Sequence, residues 1–154
     1  MRIVFVSSLS IESGGGVGRV VGELAEVLSS ENEVLLILSG TETEQTKTVK
    51  NFTLLEISGR KKGEVVFSVL DPVKIQAIFR SLKKFNPDIV HLHDQGPVSF
   101  VVLLWALKNK VSIVFTSHTI PSEVTTFGLA ELFPKMQSLF NNKVFDSYFD
   151  IFEK

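Results

Sequence analysis

Short apolar, β-branched runs recur along the chain with longer helical stretches between them, and this alternation constrains the fold more than any other feature. The runs cover residues 2–7, 33–38, 52–57, 89–93 and 112–116, each bounded by polar residues or glycine. A strand buried on both faces reads as a nearly continuous apolar run, and parallel neighbours need a crossover between them, usually a helix. The expected fold is therefore α/β: a Rossmann-like three-layer sandwich with a mainly parallel sheet.

The stretches between the runs carry helical signals. Across 17–30, Val17, Val20, Val21, Leu24, Ala25 and Leu28 fall three and four residues apart, as one face of an amphipathic helix requires. Asp71-Pro72 supplies a cap and a first-turn proline for a second helix. Its buried face is expected to be Val73, Ile75, Ile78, Leu82 and Phe85, and Asn86-Pro87 ends it. A third helix over 97–108 is apolar nearly all round, which predicts either cover on most sides or packing against a second domain, with Trp105 part of that buried surface. The polar segment 41–50 lacks a periodic apolar face and reads as a loop, as does the basic cluster Arg60-Lys61-Lys62-Gly63.

With 154 residues the chain suits one domain spanning 1–154 and can bury a substantial core without staples. Cysteine is absent, so disulfides, thiolate metal sites and cysteine nucleophiles are excluded. Sixteen basic and seventeen acidic residues leave a formal charge of -1, which argues against nucleic acid as a partner. The apolar run Ile3 to Val6 is too short for a signal-peptide core or a membrane span, and a cytoplasmic location is expected.

In a doubly wound sheet, ligands bind beyond the carboxyl ends of the strands. After the first run comes Ser13-Gly14-Gly15-Gly16-Val17-Gly18-Arg19, directly before a helix. Glycines there remove side-chain bulk, permit positive φ and let backbone N–H groups approach an anion such as a diphosphate. Neither dinucleotide spacing nor a P-loop is present: the third glycine position of the fingerprint falls on Val21, no acid ends the second run, and no Gly-Lys-Ser/Thr follows.

The fourth run, Ile89-Val90-His91-Leu92-His93-Asp94, places His91 and His93 on one face. His93 and Asp94 at its open end are site candidates, whereas His91 reads as a core histidine. A His-x-His pair with Asp suggests zinc, but a third ligand at suitable spacing is missing and no metal is expected. The fifth run ends Thr116-Ser117-His118-Thr119, so all three histidines fall near neighbouring strand ends. His118 is a candidate general base or hydrogen-bond donor, and Asp94 and Glu123 are the acids near these loops.

Taken together, Met1-Arg2-Ile3-Val4-Phe5-Val6-Ser7, the Gly14-Gly15-Gly16 loop, Pro87-Asp88-Ile89-Val90-His91-Leu92-His93 and Thr116-Ser117-His118-Thr119 resemble the N-terminal domain of glycosyltransferase family 4, the retaining GT-B enzymes. The resemblance extends over essentially the whole chain. It implies an acceptor-side domain that faces a C-terminal, donor-binding domain across a cleft, the nucleotide sugar being the donor substrate and UDP-glucose the first expectation. By position it places Gly14, Gly15 and Gly16 at the donor phosphate or sugar and His118 at the reaction centre. His93, Asp94, Thr119 and Glu123 then line the cleft or the acceptor site. No metal or other cofactor is implied.

The family's C-terminal domain has no counterpart in this sequence, so activity is expected to need that half, on a longer chain or as a separate subunit. The stretch His118-Thr119-Ile120-Pro121-Ser122-Glu123-Val124 resembles members that glycosylate membrane lipids. The Phe-rich stretch 129–152 adds an amphipathic surface suited to peripheral membrane contact at the inner face, to an acceptor chain, to a partner, or to packing on its own sheet. The alternative from another class is a non-catalytic Rossmann-like module that binds a nucleotide or a protein.

Overall fold

In a computed structural model, residues 1–11, 15–40, 45–62, 65–68 and 70–118 are described. They form β1 (Arg2–Ser7), α1 (Gly15–Leu28), β2 (Glu33–Gly40), β3 (Gln45–Val49), β4 (Phe52–Ser58), β5 (Arg60–Lys62), β6 (Val65–Phe67), α2 (Pro72–Phe85), β7 (Ile89–Leu92), α3 (Pro97–Asn109) and β8 (Ser112–Phe115). Two compact units divide the chain, Met1–Thr116 and Ser117–Lys154. All of these elements belong to the first.

Six strands form one sheet in the order β3-β4-β2-β1-β7-β8, and every neighbouring pair is parallel except β3 with β4. The chain moves outward from β1 through β2 to β4, then returns to the other side of β1 for β7 and β8. This reversal is the topological switch point of a doubly wound sheet. The α/β, Rossmann-like expectation is met, and the five anticipated strands are β1, β2, β4, β7 and β8.

Strand alternation divides the core. Ile3, Phe5, Val34, Leu36, Leu38, Phe52 and Leu54 share one face and pack with Val21 and Ala25 of α1. Val4, Val6, Leu35 and Ile37 point the other way and are almost fully buried, while α3 packs across β1, β2, β7 and β8. In the helical face of α2, Ile78 and Leu82 are buried, but Val73 is 68% exposed. In α1, Val20 is likewise exposed. Val73 sits in the first turn of α2, and Val20 lies off the helix face of α1 that buries Gly18, Val21 and Ala25.

Helix ends follow the local chemistry. Asp71 accepts a hydrogen bond from the Lys74 N–H at 3.0 Å, Pro72 opens α2, and Asn86 closes it in the left-handed region with its N–H on the Leu82 carbonyl. Lys83 and Lys84 in the last turn complement the helix dipole.

Three expectations are corrected. Residues 45–49, read as loop, form β3: an edge strand solvated on its outer side needs no apolar face, Thr favours extended backbone, and Lys47 crosses to Glu56 at 2.8 Å. Arg60, Lys61 and Lys62 also form a strand, β5, antiparallel to β6. The apolar α3 is not covered on most sides, since Leu104 is 48% exposed and Leu107 53%, and Trp105 is half-buried.

Candidate functional site

Because β1, β7 and β8 are adjacent and parallel, their carboxyl ends lie along one edge of the sheet. His91 pairs in register with Phe5 on the α1 face, and its ring meets those of Phe5 and His93, with centroids 5.4 and 4.0 Å away. The predicted shared face of the two histidines is thus observed. His91 Nε2 lies 2.7 Å from Thr116 Oγ1 and is half-buried, which ties β7 to the end of β8. His93 is buried to 1% exposure, and its backbone N–H bonds to the Val6 carbonyl at 3.0 Å.

Asp94 organises the strand-end loops. Its Oδ2 accepts from the Ser7 hydroxyl at 2.7 Å and from the Ser8 N–H, and its Oδ1 accepts from the Gly96 N–H at 2.7 Å and the Ser99 hydroxyl at 2.9 Å. Four donors on one carboxylate leave it well anchored as a fixed anion. Ser8 Oγ in turn faces the Val98 and Ser99 N–H groups at 3.2 and 3.4 Å, capping the first turn of α3 from across the sheet. The Ser8 carbonyl accepts from the Ser39 hydroxyl, and Ser68 Oγ lies 2.7 Å from Ser39 Oγ, so the polar chain continues beneath β2 and β4. Ser7, Ser8, Ser39, Ser68 and Ser99 were not singled out in the sequence. Their one signal is the Ser7-Ser8 pair at a strand end.

The glycines separate by role. A Cβ on Gly18 would stand 2.3 Å from the Ser10 carbonyl oxygen, so this glycine permits close packing of α1 on the β1 loop. Gly15 has φ +57°, and neither Gly15 nor Gly16 has an atom within 4 Å of a would-be Cβ. Both lie in the first turn of α1, where backbone N–H groups have no intrahelical acceptor and a bare backbone can approach an anion. Gly14, Thr119 and Glu123 lie outside the described residues. His118, half-buried, belongs to the unit Ser117–Lys154. Among the described residues no three His, Asp or Glu side chains are grouped to hold a metal ion.

A doubly wound sheet with two glycines opening the helix at its switch point and a carboxylate-pinned loop on the neighbouring strand defines a Rossmann-like α/β domain with its candidate site at the strand ends. The sequence model of Glycosyltransferase Family 4 matches residues 14–149. The chain belongs to that family, and glycosyl transfer is the activity of the class. A comparison with curated proteins gives no match. Among the described residues no helix is long and apolar enough to cross a membrane.

Proposed function

We propose that this domain is the acceptor-side half of a retaining hexosyltransferase of GT-B architecture, which moves a hexose from a nucleotide sugar, with UDP-glucose the first candidate, to a membrane lipid at the inner face of the membrane. The observation that carries the reading is the family match over residues 14–149, joined to a switch-point helix start where Gly15 and Gly16 leave their surroundings open. In this reading the donor sugar is held mainly by a second, donor-binding domain or subunit. When that half closes, the Gly14-Gly15-Gly16 backbone meets the diphosphate or the transferred sugar, and its fixed N–H dipoles stabilise the charge that develops as the sugar leaves. His118 contacts the sugar at the reaction centre. His93 and Asp94 support the acceptor wall, with Thr119 and Glu123 beside it, and no metal takes part.

The test is a pull-down with the full chain as bait, followed by assay of the bound fraction for transfer from UDP-glucose to diacylglycerol in mixed micelles. Transfer that appears only with a donor-binding polypeptide present supports the reading. Tight binding of UDP-glucose by the chain alone, with no transfer in any complex, overturns it in favour of a non-catalytic nucleotide-binding module. Within an active complex, His118→Ala that leaves the turnover unchanged removes His118 from the mechanism.

A further inference from the structure

The charge of the chain is nearly balanced as a whole but not across its surface. Between residues 72 and 118 the only acids are Asp88 and Asp94. Asp88 is engaged by Arg2, and Asp94 by its four donors. Helices α2 and α3 contain no acidic residue at all. Their outer surface carries Arg80, Lys83, Lys84 and Lys108, with Lys110 at the α3 C-cap, and none of these pairs with a carboxylate among the described residues.

The same surface exposes apolar side chains. An open groove between α2 and α3 is lined by Gln76, Phe79, Arg80, Lys83, Trp105 and Asn109. Phe79 is 38% exposed, and Leu104, next in sequence to Trp105 and one turn before Lys108, is 48% exposed. On a helical wheel Arg80 and Lys84 project opposite the buried Ile78 and Leu82. Leu104 and Lys108 project opposite the buried Val102 and Ala106. Cations and large apolar groups therefore share one outward surface, on the face of the sheet opposite α1 and the glycine loop.

We propose that this α2–α3 surface is a peripheral docking site for an anionic lipid bilayer. Two features choose the bilayer over other anionic partners. Apolar side chains that point straight outward among cations gain by entering the headgroup and acyl boundary, whereas a nucleic acid offers them only scattered contacts. Long Lys and Arg stems reach past the apolar groups to place charge at the phosphate level, and a half-buried Trp beside them suits the interfacial zone. The contact is independent of sugar transfer, since it uses neither the strand-end loops nor a donor.

The test is sedimentation of the full chain with vesicles of phosphatidylcholine alone or enriched in phosphatidylglycerol. The wild type is expected to partition onto the anionic vesicles and to be released by salt. The triple variant Arg80→Gln/Lys83→Gln/Lys108→Gln is expected to bind about a hundredfold more weakly, each basic side chain at such a surface being worth about a factor of five. Leu104→Gln, which leaves the charge unchanged, is expected to weaken binding severalfold. All four positions are exposed, and thermal melts of each variant verify the fold. Equal binding to neutral vesicles, wild-type binding by the triple variant, or no binding at all overturns the proposal. So does preferential capture of single-stranded poly(U) RNA that the triple variant loses, which assigns the surface to nucleic acid.

Discussion

The Asp94 carboxylate accepts a hydrogen bond from the Ser7 hydroxyl at 2.7 Å, joining residues 87 positions apart at the carboxyl ends of β1 and β7. With the Ser8 and Gly96 N–H groups and the Ser99 hydroxyl, this makes Asp94 the fixed point from which both strand-end loops hang. Asp94→Asn puts an amide NH2 where one oxygen faces donors, so at least one bond is replaced by a donor–donor contact. The expected loss is about 2 kcal/mol of unfolding free energy, with Asp94→Ala costing more, because hydrogen bonds to a charged group exceed neutral ones. Urea denaturation measures it. A change below about 0.5 kcal/mol, the scatter of ordinary surface substitutions, would show that the carboxylate is dispensable to the fold.

Glycine substitutions should separate packing from ligand approach. Gly18→Ala drives a methyl group into the Ser10 carbonyl and is expected to cost about 2 kcal/mol or more, since the group it meets is backbone and cannot rotate away. Gly15→Ala, with φ +57°, should cost about 1 kcal/mol. Gly16→Ala meets open space within a helix and should leave stability unchanged or raise it by about 0.5 kcal/mol. In a transfer-competent complex, however, Gly16→Ala is expected to lower turnover about tenfold or more by displacing the sugar or diphosphate from the bare backbone. Full activity with Gly16→Ala would mean that no ligand passes there.

The strands of this fold are legible in the sequence because burial on both faces leaves a plain mark: Ile3 to Val6 and Val34 to Leu38 are apolar runs too short for helices and bounded by polar residues, as buried strands are. The caps of α2 are equally legible, since Asp71-Pro72 and Asn86-Pro87 act within a few residues. Edge strand β3 was not, because one hydrogen-bonded neighbour suffices to hold Gln45–Val49 without an apolar stripe. At the site, the glycine turn and the shared face of His91 and His93 follow from local spacing. The bonds of Asp94 to Ser7 and Ser8 do not, for they depend on β1 and β7 being neighbours. Helix α3 was legible only as a choice: an all-round apolar sequence predicts cover by its own domain or by a second one, and Leu104 and Leu107 lie exposed on this domain.

Acid should weaken one specific staple. The Arg2 backbone N–H on Asp88 Oδ2 at 2.7 Å, reinforced by the Arg2 guanidinium at 3.2 Å, holds the Asp88 carboxyl below its ordinary range. A folded-state pKa below the unfolded one means that the unfolded chain binds the proton more readily, so stability rises with pH through this window. The contribution is complete above about pH 5, beyond the unfolded value near 3.9, and fades as pH falls through that value and the lower folded one. Asp88→Asn should therefore melt below wild type near neutrality, and the gap between the two melting temperatures should narrow as the pH falls below the unfolded value near 3.9. A gap that stays constant with pH would sever the ion pair from acid stability.

Ser8 and Gly96 should prove energetically coupled. A Cβ on Gly96 would stand 2.3 Å from both Cβ and Oγ of Ser8, while Ser8 Oγ caps the Val98 and Ser99 N–H groups. Gly96→Ala alone must push Ser8 aside and lose that cap, for an expected cost of about 2–3 kcal/mol. Ser8→Gly alone forfeits the cap and some backbone order, about 1–2 kcal/mol. In the double variant the two nearest atoms are gone, and the next, Asp94 Oδ1, stands 3.0 Å from the new methyl. The double variant should then be more stable than the sum of the single losses predicts by about 1 kcal/mol, a coupling that a double-mutant cycle of denaturation free energies reads directly. Additive losses would show that the β1 loop and the start of α3 yield independently, and that Ser8 does not set the approach of the two strand-end loops.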